Sequence, residues 1–321
     1  MSGPDRRRGW RVLAVVGRVL VVSGLFILGF VAYQLWGTGL ETARNQDELT
    51  QTLATDTGSA DSGDDLEALN EELSAVDPAT AAPMAPPEEG SPVGVITIPK
   101  IGLQAVVVEG IDRADLKKGP GRYPGTSLPG QPGNAAIAGH RTTYGAPFNR
   151  IDELTPGDEI EVTTPQGGFL YRVRPAPAGV DGSPPDPNQA WWAVKPSQTE
   201  VLDPSTENLL TLTACHPKYS ASERIIVQAE LATPTAAPAP KPRSPTVETP
   251  VPAPLDQGLG GDSSALPVAL AFLAGALAIG ALAWFLGRRW KRWPVYLVAT
   301  PLILVAVWYC YQYLDRYLPA L

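Results

Sequence analysis

The sequence predicts an all-β domain, a barrel or a sandwich, within a chain of 321 residues. Residues 91–232 consist of short β-branched runs broken by Gly and Pro, and no segment among them has a long helical period. A domain of about 140 residues is large enough to bury one hydrophobic core. Outside this domain lie three uncharged apolar runs, each long enough for a membrane helix, which needs about 20 residues.

The predicted segments follow one another in a simple order. They are a basic start with the first membrane helix (1–36), an acidic disordered linker (37–90), the β domain (91–232), a Pro-rich linker (233–265), the second membrane helix (266–286), a basic turn (287–294), the third membrane helix (295–313) and a short tail (314–321). The expected architecture is therefore a β domain carried by three transmembrane helices and disordered linkers.

Basic residues predict the membrane topology. Arginines precede the first apolar run, and Arg288, Arg289, Lys291 and Arg292 form the turn between the second and third runs. Because positive charge marks the cytoplasmic ends of spans, we expect the N-terminus and this turn inside the cell and residues 37–265 outside. The chain is then a multi-pass cell-membrane protein with an extracellular β domain. A cleaved signal peptide is the alternative for the first run, but the run is longer than the about 7–15 residues of a signal h-region.

The two linkers differ in composition. Residues 41–89 are acidic with a single arginine, which is typical of a solvated, largely disordered spacer, although Leu66, Leu69 and Leu73 have the spacing of one side of a short helix. Residues 233–255 are dominated by Pro, Ala and Thr and predict an extended polyproline II stalk. The net charge of −8 argues against nucleic-acid binding, which normally requires a basic stripe.

Seven strands are predicted in the β domain from β-branched and alternating composition. They are Gly94–Ile98, Ala105–Glu109, Ala135–Ala138, Glu159–Thr163, Phe169–Val173, Leu209–Ala214 and Ile225–Leu231. Because only a short loop separates the last two, we expect them to be antiparallel neighbours.

These last two strands carry the most informative residues. Side chains alternate between the two faces of a strand, so Leu210, Leu212 and Ala214 point one way and Cys215 points the other. In the following strand the apolar positions alternate with polar ones in the same manner, and Arg224 is on the polar side. If the apolar sets share one core, Cys215 and Arg224 emerge together on the outer face.

A third residue, His140, completes a candidate catalytic group. Cys215 is the cysteine outside the membrane-length runs, and a thiol in an oxidising compartment is a liability unless it is used. A thiolate nucleophile needs a nearby base or positive charge, which His140 can supply at the end of the strand Ala135–Ala138. Arg224 can donate hydrogen bonds to the oxyanion of a tetrahedral intermediate. Together the three residues predict acyl transfer through a thioester.

Each of these residues also has a structural interpretation. A buried cysteine commonly acts as a small apolar side chain, and an isolated histidine or arginine commonly packs or forms an ion pair. His216 competes with His140 as the base, but adjacent strand positions face opposite ways, so it is badly placed for Cys215 unless the chain turns there. Cys310 lies in an apolar run and is expected to be inert.

The residues around this group resemble a known family, the sortases, which are membrane-anchored cysteine transpeptidases of Gram-positive bacteria. The resemblance rests on TLTAC at Thr211–Cys215, with Arg224 nine residues further on, and on GHR at Gly139–Arg141. The longer strings GHRTTYGAPF, residues 139–148, and CHPKYSASER, residues 215–224, resemble the class E group.

The resemblance covers about Gly94 to Leu231 and implies a closed β-barrel. It also implies that His140, Cys215 and Arg224 occupy catalytic positions. One departure is Ala214, which stands where many sortases have a threonine before the cysteine. Since Ala214 should face the core, we expect this difference to alter packing or loop geometry more than the chemistry.

The resemblance further implies the reaction and the partners. Members cleave a C-terminal sorting signal, here of Leu-Ala-x-Thr-Gly type, between Thr and Gly, and pass the acyl group from a cysteine thioester to an amine. The implied partners are surface proteins that carry the signal and a cell-wall precursor or pilin amine. Tyr144, in the loop after His140, and Thr213 are predicted to contact the signal. No cofactor is predicted, and acids such as Asp181 and Asp186 lack a recognisable calcium spacing.

Two other functions fit the same residues. A thiol hydrolase would use the same group, because water as well as an amine can attack a thioester, and favouring the amine requires a positioned acceptor. A non-enzymatic, membrane-bound cell-wall scaffold would use the cysteine, histidine and arginine only structurally. The residues by themselves leave these alternatives open.

Overall fold

The computed structural model describes residues 4–59, 65–177, 186–238, 255, 257, 261–289 and 292–318. Two compact units divide the chain: one is Met1–Thr38 with Ser264–Asp315, and the other is Gly39–Ser263 with Arg316–Leu321. The first unit is helical, and the second holds the described strands.

The helices include three that can cross a membrane. They are α1 (Pro4–Ala32), α2 (Thr38–Thr57), α3 (Leu66–Ser74), α4 (Arg113–Leu116), α5 (Ala265–Arg289) and α6 (Arg292–Tyr317), with a π-helical turn at Tyr33–Gly37. Leu13–Ala32 within α1, together with α5 and α6, are long and apolar enough to span a bilayer, which confirms the three predicted spans as candidates. The basic turn expected at 287–294 is shorter, because α5 continues to Arg289 and α6 begins at Arg292; residues 290 and 291 lie outside the described residues.

The strands form a closed barrel. They are β1 (Pro92–Ile98), β2 (Leu103–Glu109), β3 (Gly121–Arg122), β4 (Asn134–Ala138), β5 (Glu159–Thr164), β6 (Gly167–Val173), β7 (Trp191–Val194), β8 (Leu209–His216) and β9 (Glu223–Leu231). Their order is β6-β5-β1-β2-β3-β4-β8-β9-β7, and β6 also pairs with β9, so eight strands close on themselves while β7 lies outside on β9. Closure removes unpaired sheet edges. The predicted all-β closed barrel is therefore confirmed.

All seven predicted strands are present, and two further strands were missed. β3 has only two residues, which pair in parallel with β2 and antiparallel with β4. So short a segment has no periodicity to read. β7 pairs antiparallel with β9 and follows a Pro-rich loop whose composition hid it.

The barrel interior is one apolar cluster that the alternation of β8 and β9 predicts. β8 contributes Leu210, Leu212 and Ala214, and β9 contributes Ile225 and Val227. All of these side chains are fully buried. Complete burial of such a side chain stabilises the fold by roughly 1.5–3 kcal/mol. A slip of one residue would turn these side chains to the other face, so their burial favours the observed register of β8 and β9.

The acidic linker is not a largely disordered spacer, so that prediction is wrong for its described part. Leu49 and Leu53 of α2 and Leu69 and Leu73 of α3 have the i,i+4 spacing of an apolar stripe, and they pack in one cluster with valines of β1 and β2. Composition alone concealed these short stripes. The helix suggested by the leucines at 66, 69 and 73 is present as α3.

A glutamine of α2 also extends the hydrogen bonding of the barrel. Nε2 of Gln46 donates to the carbonyl oxygens of Val106 and Lys118 at 3.0 and 2.8 Å, and its Oε1 accepts from the Val106 N–H at 2.7 Å. The Gln46 amide thus makes the pair of hydrogen bonds with Val106 that the backbone of a neighbouring strand would make, and these bonds help to hold α2 against β2.

Most of the predicted Pro-rich linker lies outside the described residues, including 239–254. Its described start is packed against the barrel. Ala236 is buried and its N–H donates to the Gly130 carbonyl oxygen at 2.9 Å. At Ala236 the predicted extended stalk is therefore packed against the barrel instead of standing free of it.

Candidate active site

The register of β8 and β9 sets Cys215 directly opposite Arg224. Residues paired in this way in an antiparallel ladder project their side chains to the same face, with Cβ atoms about 4.5–5.5 Å apart. Thr213 precedes Cys215 by two positions and therefore also lies on this face, whereas Leu212 and Ala214 face the interior.

His140 reaches the same end of the barrel through β4. This strand is parallel to β8, with Ala138 paired with Thr213, and the Gly139 N–H continues the ladder by donating to the Thr213 carbonyl oxygen at 3.0 Å. His140 and Cys215 each lie two residues beyond that pair. The alternation of side chains along β4 places His140 on the same face as Cys215, because Ala136 and Ala138, two and four positions earlier, lie in the outer cluster that contains Cys215. The barrel thus brings His140, Cys215 and Arg224 together on one face.

This outer face is covered, which corrects the expectation that Cys215 and Arg224 emerge on an open surface. His140 and Cys215 are 0% exposed and Arg224 is 1% exposed. Apolar side chains from several elements cover the face, namely Ile111, Leu116, Tyr123, Trp192, Val194, Leu202 and Leu255. Strand alternation determines which face a side chain occupies, but only tertiary packing determines what lies above it.

Burial makes His140 a neutral imidazole. Desolvation, together with the smaller effects of the positive charges of Arg113 and Lys117, lowers the pKa of His140 to about 3. Among the described residues, neither ring nitrogen has a hydrogen-bond partner. Leaving such groups buried and unsatisfied costs about 1–3 kcal/mol, which is unusual for a histidine with a purely structural role.

Burial has a parallel effect on the thiol. Desolvation raises the pKa of Cys215, while the charges of Arg224 and Arg141 act in the opposite direction. Both cysteines are thiols rather than halves of a disulfide. In this covered state the pair is therefore neutral thiol and neutral imidazole, and the thiolate needs either proton transfer to His140 or hydration of the site.

Arg224 directs its donors at backbone carbonyl oxygens. Its Nη1 donates to Ala221 and to Glu223, each at 2.9 Å, and its Nε donates to Leu255 at 2.9 Å. The first two bonds orient the guanidinium group through Ala221, in the loop between β8 and β9, and through Glu223, the first residue of β9. The third bond links it to a residue of the Pro-rich linker, so this donor is directed toward an acceptor above the site.

Arg141 is a residue of the site that sequence reasoning missed. Its Nη1 lies 3.3 Å from the Cys215 carbonyl oxygen, to which it donates, and 3.2 Å from Nδ1 of His216, and its Nη2 lies 2.9 Å from Oδ1 of Asp152. This buried guanidinium therefore ties the residue after His140 to the backbone of Cys215. The signal available in the sequence was its position in the GHR string.

The two predicted substrate contacts are buried as well. Tyr144 is fully buried, its ring centroid lies 4.9 Å from that of His140, and Nζ of Lys117 lies 4.9 Å above it. Thr213 is also fully buried, and its Oγ1 lies 2.9 Å from the hydroxyl of Tyr123. In this state Tyr144 packs against the imidazole, and the signal-contacting roles of Tyr144 and Thr213 stay predictions.

The competing residues lie away from this arrangement. His216 pairs with Glu223 in the ladder, one position out of phase with Cys215, and its ring packs 5.4 Å from Trp191. Its Nδ1 contacts Arg141 rather than serving as a second base. Cys310 lies within α6 of the helical unit.

One acidic cluster lies beside α4. Among the described residues, carboxylate oxygens of Glu89, Asp112 and Asp115 lie within 4.8 Å of one another, and Nζ of Lys118 lies 3.7 Å from Asp115. We assign no ion to this cluster, and the prediction of no cofactor stays a prediction. Asp181 lies outside the described residues, and Oδ1 of Asp186 accepts the Asn188 N–H at 2.8 Å in a local turn.

Comparison with known proteins agrees with this fold. A sortase domain model matches residues 96–232. Sortase D of Bacillus subtilis is 30% identical over 159 residues, which cover 50% of this chain and 74% of that protein. Sortase SrtE1 of Streptomyces coelicolor is 27% identical over 239 residues, which cover 69% of this chain and 58% of SrtE1. The solved structure of sortase E from Streptomyces avermitilis is 35% identical, with a TM-score of 0.37, and covers 46% of this chain and 91% of that one.

The chain belongs to the sortase family. The predicted resemblance to the class E group is confirmed by its relatives of that class. The chain spans less than two thirds of the length of SrtE1.

Proposed function

We propose that this chain is a cysteine transpeptidase that cleaves a Leu-Ala-x-Thr-Gly-like sorting signal between Thr and Gly. The observation that carries the proposal is the register of three strands. β8 and β9 pair Cys215 with Arg224, and His140 follows β4 by two residues on the same face and at the same end of the barrel. This arrangement supports the roles that we propose, with Cys215 as the nucleophile, His140 as the base and Arg224 as the oxyanion donor.

The chemistry proceeds in two halves. His140 takes the proton from the Cys215 thiol as Sγ attacks the carbonyl carbon of the Thr-Gly bond, and Arg224 donates hydrogen bonds to the resulting oxyanion. The C–N bond then breaks, and the imidazolium gives its proton to the departing glycine amine. An acceptor amine next attacks the thioester and loses a proton to the imidazole, the C–S bond breaks as the new amide bond forms, and the imidazolium returns its proton to the Cys215 thiolate.

The buried imidazole supports a site that opens before it reacts. A histidine whose pKa is lowered to about 3 is unprotonated at neutral pH but too weak a base to take the thiol proton efficiently, so the proposed transfer follows opening of the site, which returns the pKa toward its ordinary range. We assign Tyr144 and Thr213 to contact with the signal once the site opens, because both flank the reactive pair. The partners we propose are signal-bearing surface proteins and a cell-wall or pilin amine.

We further propose that the protein is multi-pass, with the barrel outside the cell. The support is the distribution of basic residues at the ends of the candidate spans. An epitope inserted within residues 60–64 should bind antibody on intact cells of the host bacterium, whereas an epitope at residue 1 should bind only after permeabilisation. The reverse pattern would contradict the topology.

The reaction is tested with the full chain in detergent and a fluorogenic peptide containing Leu-Ala-x-Thr-Gly. We expect cleavage with the wild type and none with Cys215→Ala. His140→Ala and Arg224→Ala should each lower the rate at least about 100-fold, as losses of a base or an oxyanion donor do. Cys310→Ala is the matched control and should retain the wild-type rate.

Mass spectrometry of the products separates the alternatives. A transpeptidase joins the acyl fragment to an added amine, whereas a thiol hydrolase releases only the carboxylic acid whether or not the amine is present. A scaffold gives neither product, and its role in cells survives Cys215→Ala.

A further inference from the structure

Among the described residues that cover the candidate site, Leu255 comes from the chain beyond the last strand. Ile111 and Leu116 lie between β2 and β3, and Trp192 lies on β7. Leu255 instead comes from the Pro-rich linker, beyond the end of β9 at Leu231. A peptide must reach Sγ of Cys215 to react, so part of this cover has to leave, and a linker residue can leave without unfolding a strand.

Leu255 contacts the site with its side chain and with its backbone. Its side chain is 0% exposed and packs in the apolar cluster that contains Cys215. Its carbonyl oxygen accepts the 2.9 Å hydrogen bond from Nε of Arg224. A peptide carbonyl in this position is the kind of acceptor that a bound substrate would present to Arg224. Leu255 therefore occupies both an apolar surface and the donor that the proposed reaction needs.

A second contact lies two residues further along the linker. Nε2 of Gln257 donates to Oδ1 of Asp112 at 2.6 Å. Asp112 is the residue before α4, and Leu116 of that helix is part of the cover. The linker is thus attached to the barrel at two points, one over Arg224 and one at the start of α4.

We propose that Leu255 and Gln257 form an intramolecular occupant of the active-site surface that competes with the sorting-signal peptide. This inference rests on the proposed function, because it assigns a means of regulation to the same site. The surface accepts an aliphatic side chain together with a backbone carbonyl oxygen, and Leu255 of the chain's own linker supplies both.

Tethering explains how so few contacts can hold the site closed. A covalently attached segment acts at a high effective concentration, so weak contacts can outcompete a peptide in solution. With the segment bound, desolvation keeps His140 and Cys215 neutral. Its departure admits water, which shifts both pKa values back toward their ordinary range and makes the thiolate accessible.

The test is the rate at which iodoacetamide alkylates Cys215 in the full-length protein, followed by mass spectrometry of the Cys215 peptide. Alkylation reports access to the thiol and does not depend on what the enzyme does with a peptide. Leu255→Ser should raise the alkylation rate about tenfold or more, since it removes a fully buried aliphatic side chain from the cover. Gln257→Ala removes one hydrogen bond and should raise the rate a few-fold.

The matched control is Leu40→Ser, which removes an aliphatic side chain that is 66% exposed on α2 and lies outside the cover. It should leave the alkylation rate at the wild-type value. Thermal melting of each variant checks that the barrel stays folded. Equal alkylation rates in the wild type, Leu255→Ser and Gln257→Ala overturn the proposal, as does a Leu40→Ser rate equal to that of Leu255→Ser.

Peptide cleavage measured on the same samples separates this proposal from the proposed function. Faster alkylation and faster cleavage in Leu255→Ser support both. Faster alkylation with no cleavage in any sample supports the intramolecular occupant and contradicts the transpeptidase. Cleavage by the wild type with alkylation unchanged in every variant supports the transpeptidase and overturns the occupant.

Discussion

Where β8 ends and β9 begins, the two faces of these strands are buried to the same degree, but different structures cover them. Leu210 and Leu212 face the barrel interior, where the other strands of the closed sheet surround them. Cys215 and Arg224 face outward, where loops, β7 and a linker residue lie over them. Equal burial therefore conceals a difference in how each face can be opened.

That difference separates stability from function. Exposing the inner face requires breaking strand ladders, so its side chains contribute to the folding free energy. Exposing the outer face requires moving only what lies above it, so polar and reactive groups can be kept there at a modest cost in stability.

Removing the nucleophile from the outer face should abolish acyl transfer without unfolding the barrel. We expect Cys215→Ala to lower the peptide cleavage rate by at least about 10³-fold, as loss of a catalytic nucleophile does. The melting temperature should stay close to that of the wild type, because alanine fits the same apolar cluster. A large drop in melting temperature would show that the outer face also supports the fold.

The corresponding change on the inner face should have the opposite profile. Leu212→Ala leaves a cavity inside the barrel and should lower the free energy of unfolding by about 2–5 kcal/mol, measured by denaturant titration. Cleavage activity per folded molecule should be retained. Loss of activity in fully folded Leu212→Ala would contradict the separation of the two faces.

Arg141 tests whether geometry or charge matters beside Cys215. Arg141→Lys keeps the positive charge but loses the simultaneous contacts with Asp152 and with the Cys215 carbonyl oxygen. We expect cleavage to slow about tenfold, while the pH dependence of Cys215 alkylation stays as in the wild type. A shifted alkylation profile with unchanged cleavage would instead assign Arg141 an electrostatic role.

The buried imidazole predicts the sign of a pH effect on stability. The pKa of His140 falls from 6.5 to about 3 on folding, so the unfolded state binds more protons between these values and stability falls as the pH drops through that window. One pH unit below the unfolded pKa, at about pH 5.5, the loss relative to pH 8 should be about 1.4 kcal/mol.

His140→Gln removes that proton-binding group and is the comparison for this effect. Burial raises the pKa of Glu109 and Asp115, which acts in the opposite direction on acidification and is common to both proteins. The difference between the two pH profiles therefore reports His140. Parallel profiles would show that the imidazole is not desolvated in solution.

Strand composition predicted much of the barrel, and the reasons for the misses are local. The seven predicted strands have enough β-branched or alternating residues to be read singly. β3 and β7 exist because neighbouring strands offer ladder positions to short segments. The helix α2 was hidden in acidic composition, because two leucines are enough to pack against a barrel but too few to mark a helix by pattern, whereas three leucines suggested α3.

The candidate site was predictable in its members but not in its surroundings. Alternation and strand ends indicated Cys215, Arg224 and His140. Arg141 was missed because its contacts with Asp152 and with the Cys215 backbone join segments far apart in the chain. Leu255 carried no signal at all, since nothing in a Pro-rich linker indicates which residue will lie on a distant arginine.

Periodicity, length and side-chain chemistry are local properties, so the sequence was sufficient to predict the strand faces, the three apolar spans and the members of the candidate site. Tertiary structure alone decided that the outer face is covered, that His140 is neutral and that Leu255 accepts a hydrogen bond from Arg224. These properties depend on desolvation and on contacts between distant segments, and both arise only when the barrel closes and its surroundings pack against it.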